Sequence, residues 1–395
     1  MNYWPTKKLG EICEENIKSP FKVENATNSG EYPFFTSGDN ILTHDEYLVD
    51  GENIFLATGG YANVKYYNGK ASYSTDTWSL KVKNGLAKFV FYQILARLKY
   101  IDEVLFRGSG LRHLQKKEFF KLEILLPPLP IQQKIVKILD MIQEAVNIQE
   151  KIIEKTKELK KSLMNLLFHY GIKALSIKEL ASSRVGELTS SEIEKLGLKL
   201  KKTEIGEIPE NWEVVRLGEV IEILDSKRIP LSEEERQNMK GPYPYCGANG
   251  IIDYINNYIF EGEYVLLAED GGYWGPFEES SYIMKGKFWV NNHAHIFRAL
   301  KNKAINFCLM SILNYLNLND YISGATRGKL NQSTMRNIKI PLPPLPEQQE
   351  ITEILQIIDQ KIEIEKKKKE LYEELFKTML HKIMSQEIDI NLLDY

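Results

Sequence analysis

The chain has 395 residues, 27% of them charged, with a formal net charge of −3. That length exceeds what one hydrophobic core usually serves, so two or three domains are expected, and the near-neutral charge confines any nucleic-acid contact to local patches. No run of about 18 apolar residues is present and the opening MNYWPTKKLG lacks the apolar segment of a signal peptide, which leads us to expect a cytoplasmic protein with no membrane contact.

From the N-terminus, residues 1–128 read as one mixed module. Short strands rich in Tyr, Phe, Ile and Val, such as YPFF at 32–35 and NIFLAT at 53–58, alternate with Gly, Asn and Asp turns, and KFVFYQILARL at 88–98 has helical spacing. Cys13, Cys246 and Cys308 form no CxxC pair, and we read them as ordinary half-buried residues. LPPLP at 126–130, followed by Gln132 and Gln133, opens a stretch of about 40 residues without Pro or Gly. Prolines suit a helix entry, so residues 129–172 are expected to be one long helix. Its apolar residues Ile135, Ile138, Ile142, Ala145, Ile152, Leu159, Leu163 and Leu166 keep a 3.5-residue period, the pattern of a coiled-coil seam. Residues 173–208 are assigned as a linker.

The pattern then repeats. LPPLP returns at 342–346, displaced by 216 residues and followed by Gln348 and Gln349. Trp4 through LGEI matches Trp212 through LGEV, YPFF matches YPYC at 243–246, and GSGLRHL at 108–114 matches GATRGKL at 324–330. Residues 209–344 are therefore a second module and 345–395 a second helix, with a seam through Ile351, Ile354, Ile358, Ile362, Leu375 and Met379 that Lys366 to Lys369 interrupt. We expect an α+β protein with an internal pseudo-two-fold repeat. Two globular α/β modules would be separated by two long antiparallel coiled-coil helices, each roughly 60 Å long at about 1.5 Å per residue.

The order of these motifs, with TEIGEIPENWEVVRLGEV at 203–220, LPPLPIQQKIVKILD and LPPLPEQQEITEILQIID, resembles the specificity subunit of type I restriction-modification systems over nearly the whole chain. The first module departs from the pattern by its shortened opening. The resemblance implies two target-recognition domains on double-stranded DNA, each reading half of a split target. It also implies helices that set the spacer, and two modification subunits plus restriction subunits assembled on this chain. Catalysis with S-adenosylmethionine, ATP and Mg is then expected on those partners, with no cofactor and no enzyme activity here. The chain has no [DN]PP[YF] tetrapeptide and no GxxxxGK[ST] loop. The competing readings are the recognition half of a fused methyltransferase-nuclease and a non-catalytic coiled-coil scaffold.

Two pairs of loops are the candidate DNA-binding sites. One pair comprises Arg107, Ser109, Arg112, His113, Lys116 and Lys117, and its counterpart Thr326, Arg327, Lys329, Asn331 and Gln332. Arg bridges guanine O6 and N7, and Lys or Ser suits phosphate; the plainer reading is a solvated glycine turn. The other pair comprises Gly60, Tyr61, Asn63 and Lys65, and its counterpart Tyr273 and Trp274, for which a tight hairpin covering the core is the plainer reading. His293 and His295 stand at alternate positions but lack the rest of a metal set, so no metal is expected, and Asn292 with His293 is read as a polar strand end facing DNA.

Overall fold

The structure is a computed structural model describing residues 4–176, 188–324, 328–388 and 390. It forms two compact units, residues 1–150 with 366–395 and residues 151–365. The expected module boundaries are therefore refined: each unit contains one module together with part of each long helix, Leu129–Tyr170 and Leu345–Met384.

In the first unit, strands Cys13–Glu15, Thr77–Val82, Glu52–Ala57 and Val64–Asn68 form an antiparallel sheet in that order. A second sheet orders Ile41–His44, Tyr32–Phe35 and Ser72–Tyr73. Helix Ala87–Leu95 explains the packing, because its apolar residues cover two sides. Val90 and Ile94 pack with Ile54, Leu56 and Leu80 of the sheet, while Phe89 and Tyr92 pack with Ile135, Ile138 and Leu139 of the first long helix.

The second unit follows the same plan. Its six strands run Ile221–Ile223, Ala294–Ala299, Phe260–Ala268, Ser281–Val290, Lys240–Gly247 and Gly250–Ile255. Helix Asn306–Tyr315 contributes Cys308, Leu309, Ile312 and Leu313 to one core with Val265, Phe297, Leu167, Phe168, Ile351 and Leu355. The two repeats match in register: Ala57 pairs with Thr77 as Ala268 pairs with Ala294. The YPFF and YPYC strands each make a parallel pairing, Phe35 with Tyr73 and Cys246 with Val290.

The first glutamine after each LPPLP is a bracket. Gln132 Nε2 donates to the Pro127 carbonyl at 2.7 Å while its Oε1 accepts the Leu86 N–H at 2.8 Å, just ahead of the module helix. Gln348 does the same with the Pro343 carbonyl at 2.8 Å and the Ile305 N–H at 3.0 Å. Both glutamines are buried, so losing either leaves dry polar groups unpaired, which costs about 1–3 kcal/mol. The sequence repeat thus encodes a fixed joint between module and long helix.

The helices pair antiparallel in each unit. In the first, Ile135 to Leu139 cluster with Leu380, Ile383 and Met384, while Glu150, further along, meets Lys369 at 3.0 Å. In the second, Lys160 meets Asp359 at 2.6 Å, and Met164, Leu167 and Phe168 cluster with Ile351 and Leu355. Ile142, Leu163 and Ile354 pack against these clusters and Ile362 is buried, as expected; Ile358 is half-buried. The expected seam is nevertheless out of phase at three positions. Ile152, Leu159 and Leu375 are 37%, 43% and 43% exposed, and the inward positions are instead Val146, Gln149, Thr156 and Glu365. Polar side chains occupy heptad positions that an apolar count passes over.

The segment expected as a linker is folded where it is described. Thr189 caps helix Ser190–Lys195 through a capping box, strands Leu200–Thr203 and Gly206–Pro209 form a hairpin, and Leu188 packs with Leu166, Tyr170 and Ala174. Burial pushes the thiols of Cys13 and Cys246 up to about 12, so neither is a reactive thiolate near neutral pH.

Candidate nucleic-acid interface

In each module the two glycine loops singled out in the sequence join through the main chain. Gly60 N–H donates to the Arg112 carbonyl at 2.9 Å, and Leu114 N–H to the Thr58 carbonyl at 3.0 Å. The second module repeats this with Leu330 N–H to the Glu269 carbonyl at 2.7 Å and Gly271 N–H to the Gly328 carbonyl at 3.3 Å. Gly60 requires its glycine, since its φ of 85° lies in the left-handed region. A third loop reaches the same place. In the first module it is the tip 36–40 of the hairpin that follows YPFF, where Asp39 accepts from Asn63 Nδ2 at 2.7 Å and Tyr61 Oη at 3.3 Å. In the second it is the tip at Ala248 and Asn249, where Asn249 Nδ2 donates to the Gly271 carbonyl at 3.0 Å. Sequence reasoning missed this tip; the YPFF/YPYC repeat directly before it is the signal that marks it.

Acidic residues from elsewhere in the chain hold the first module's loops. Asp102 accepts the Ala62 N–H at 2.7 Å and both oxygens accept from Arg112 Nη2 at 3.1 Å. The Ala62 amide, and then Arg112, hold this carboxyl below the usual carboxylate range despite some desolvation. Asp39's charge raises the Tyr61 hydroxyl, and burial lowers the Lys65 ammonium.

These partners divide the candidate residues. Arg107, Ser109, His113 and Lys117 are exposed on the first module, as are Tyr273 and Asn292 on the second. The Arg107 guanidinium uses only its Nε, on the Val104 carbonyl at 3.2 Å. Several others have partners within the chain. Arg112 is spent on Asp102, and Lys116 pairs with Glu15 at 3.0 Å and covers the Trp78 ring at 4.5 Å. Lys65 donates to the Thr36 carbonyl at 3.0 Å and to that of Gly38. Trp274 is only 7% exposed and belongs to the second core. His293 pairs with Asp270 at 2.7 Å, Lys329 with Glu269 at 3.2 Å, and Gln332 donates to Asp225 at 2.8 Å. Asn331 Nδ2 donates to Ser323 Oγ at 3.4 Å, and the residue stays exposed. Thr326 and Arg327 lie outside the described residues.

Beneath the second module's loops lies a buried ionic knot. His295 Nδ1 faces Asp225 Oδ2 at 2.6 Å and its Nε2 faces the Leu330 carbonyl at 2.8 Å. Each ring nitrogen thus faces an oxygen. Arg228 Nη1 donates to Glu269 at 2.7 Å and to the Ala294 carbonyl at 2.7 Å. Burial pushes the Asp225 carboxyl up, but His295, Gln332 and the Ile296 N–H outweigh it and hold it low. Asp225, Glu269 and His295 are close enough to share a metal ion. Arg228 and Lys329 pair with Glu269, and both ring nitrogens of His295 are already engaged by protein oxygens.

A family model described as the type I restriction modification DNA specificity domain matches residues 1–158 and 209–374, one match for each repeat. The chain belongs to this family. Among curated relatives of this specificity-domain protein, the MjaVIII specificity subunit of Methanocaldococcus jannaschii is 27% identical over 99% of this chain and 94% of its own length. The EcoDI specificity subunit of Escherichia coli is 24% identical over 88% and 79%. Among solved structures, the type I system S subunit from M. genitalium aligns over 96% of both chains with a TM-score of 0.62 at 18% identity, a likeness of fold. Among the described residues, no helix of the family member is long and apolar enough to cross a membrane.

Proposed function

We infer that the chain is the sequence-reading, non-catalytic subunit of a type I restriction-modification complex, binding double-stranded DNA with one module on each half of a two-part target. The observation that carries this reading is the convergence of three loops at the same place in both modules. Main-chain hydrogen bonds join the two glycine loops alike in both modules, and an exposed Tyr61 or Tyr273 stands at the same place in each, while the exposed polar residues around them are Arg107, Ser109, Lys116 and Lys117 in one module and Asn292, Lys329, Asn331 and Gln332 in the other. A constant frame with variable side chains is what two different half-sites require, with phosphate contacts for position and base edges for specificity.

The long helices set the spacing and dock two modification subunits. Each carries an exposed apolar stripe at heptad spacing, Met141, Ile148, Ile152 and Leu159 on the first and Ile357, Ile364, Leu371 and Leu375 on the second. Such stripes suit partner helices. The modification subunits supply S-adenosylmethionine chemistry, and restriction subunits supply ATP- and Mg-dependent cleavage in the cytoplasm. The test is to co-express the chain with its modification subunits and map N6-methyladenine. A motif of two specified halves with a fixed gap supports the reading; methylation without a motif, or with one undivided motif, refutes it.

A further inference from the structure

The hairpin tips differ in length and charge between the modules. In the first, Phe35 and Ile41 close the ladder and leave five residues, Thr36 to Asn40, in the tip. In the second, Gly247 pairs with Gly250 and leaves only Ala248 and Asn249. The longer tip carries an exposed carboxylate, Asp39; the shorter carries no ionisable group.

Asp39 is held in one orientation. Tyr61 and Asn63, both from the neighbouring glycine loop, hydrogen-bond its two oxygens. Lys65 is close enough for its charge to act on Asp39, but it makes no ion pair with it, because its ammonium donates to the Thr36 and Gly38 carbonyls. Among the described residues Asp39 makes no ion pair, and its two neutral donors fill only about half of the roughly four acceptor sites of a carboxylate. A fixed carboxylate that makes no ion pair is repelled by phosphates. Against a base edge it has one favourable use, which is to accept from an exocyclic amino group, as acidic side chains accept from cytosine N4.

We propose that Asp39 is a specificity-determining residue of the first module, selecting at one position of the first half-site a base that presents an exocyclic amino group in the major groove, cytosine or adenine. The assignment rests on the DNA-reading role proposed above. Tyr61 and Asn63 act as positioning residues, fixing the carboxylate before DNA arrives and so reducing the ordering cost of binding.

The experiment is selection from a randomised duplex pool by the full chain assembled with its modification subunits. The wild type selects cytosine or adenine at one position of the first half-site. Asp39→Ala loses that preference by a factor on the order of ten to a hundred and leaves the second half-site unchanged. Tyr61→Phe and Asn63→Ala keep the carboxylate but free it, so each weakens the preference at the same position by a smaller factor; this keeps the test decisive if Asp39→Ala disturbs the loop. The assignment is overturned if the variants preserve every positional preference, if all sequences change affinity by one common factor, or if the second half-site changes. A wild type that selects no motif overturns the DNA-reading role itself, whereas a wild-type motif unaffected by all three substitutions removes only the role of Asp39.

Discussion

Under one backbone frame the two modules place opposite chemistry. The registers that pair Ala57 with Thr77 and Ala268 with Ala294 make Trp78 and His295 equivalent; the bonds from Leu114 and Leu330 make Thr58 equivalent to Glu269. In the first module the space beneath the loops holds an indole, with Phe120 edge-on at 4.9 Å and Lys116 over its face. In the second it holds His295, Asp225, Glu269 and Arg228, with Gln332 standing where the sequence repeat places Lys116. The two glycine loops join in the same way in both modules because that joint is made by main-chain bonds. The side chains that hold the third loop and fill the space beneath diverge, and one fold serves two reading surfaces.

The sharpest way to break this comparison is to remove a partner that only one module has. Asp225→Ala leaves His295, Arg228 and the Ile296 N–H facing a gap, and loss of one partner of a buried charge pair costs about 3–5 kcal/mol. Denaturant unfolding is expected to show that loss, with hydrogen exchange rising in residues 209–344 and unchanged in 1–128. A loss below about 1 kcal/mol would mean that the knot does not hold the second module together.

The joints are the shared feature, and their removal is expected to act alike in both modules. Gln132→Leu and Gln348→Leu each strand a buried N–H and carbonyl, at about 1–3 kcal/mol. Gln348 has one further bond, to the Lys303 carbonyl at 3.1 Å, so its replacement is expected to cost more. Thermal unfolding of the two variants measures the ratio.

A smaller effect belongs to Lys116. Lys116→Gln, which puts into the first module the residue type found in the second, gives up the ring contact and the Glu15 pair, worth about 0.5–1 kcal/mol together. It is expected to leave the loop joint intact, seen as unchanged protection of the Gly60 and Leu114 amides.

The smallest effect is set by pH. Asp102 has a folded pKa below its unfolded value of about 3.9. Its contribution is therefore fully present above about pH 4 and is lost as pH falls through the folded value. The Ala62 amide proton resonance is expected to move on acidification in the wild type. In Asp102→Asn it is expected to sit near the acid position at every pH; a pH-dependent shift in that variant would assign the effect to another group.

Much of this architecture was legible in the sequence, because repetition was. LPPLP with its glutamines, the YPFF and YPYC strands and the two glycine loops each recur, and each recurrence is a piece of shared frame. The helix seam was legible in period but not in phase, since Gln149, Thr156 and Glu365 occupy inward positions that an apolar count cannot assign. The partners of the site residues were not legible: Arg112, Lys116 and Gln332 bond to Asp102, Glu15 and Asp225, which the fold delivers from 10, 101 and 107 residues away. A basic residue in a glycine loop looks the same in sequence whether or not an acid is waiting for it.

The central claim is that the modules read independently and the helices carry no base specificity. Exchanging residues up to Leu126 for the first module of a relative, then mapping N6-methyladenine in cells that also carry the modification subunits, tests it most directly. The account predicts a new first half-site with the second half-site and the gap retained, because the second module's loop frame is built entirely within residues 225–332. A change in both half-sites after exchange of one module would contradict it.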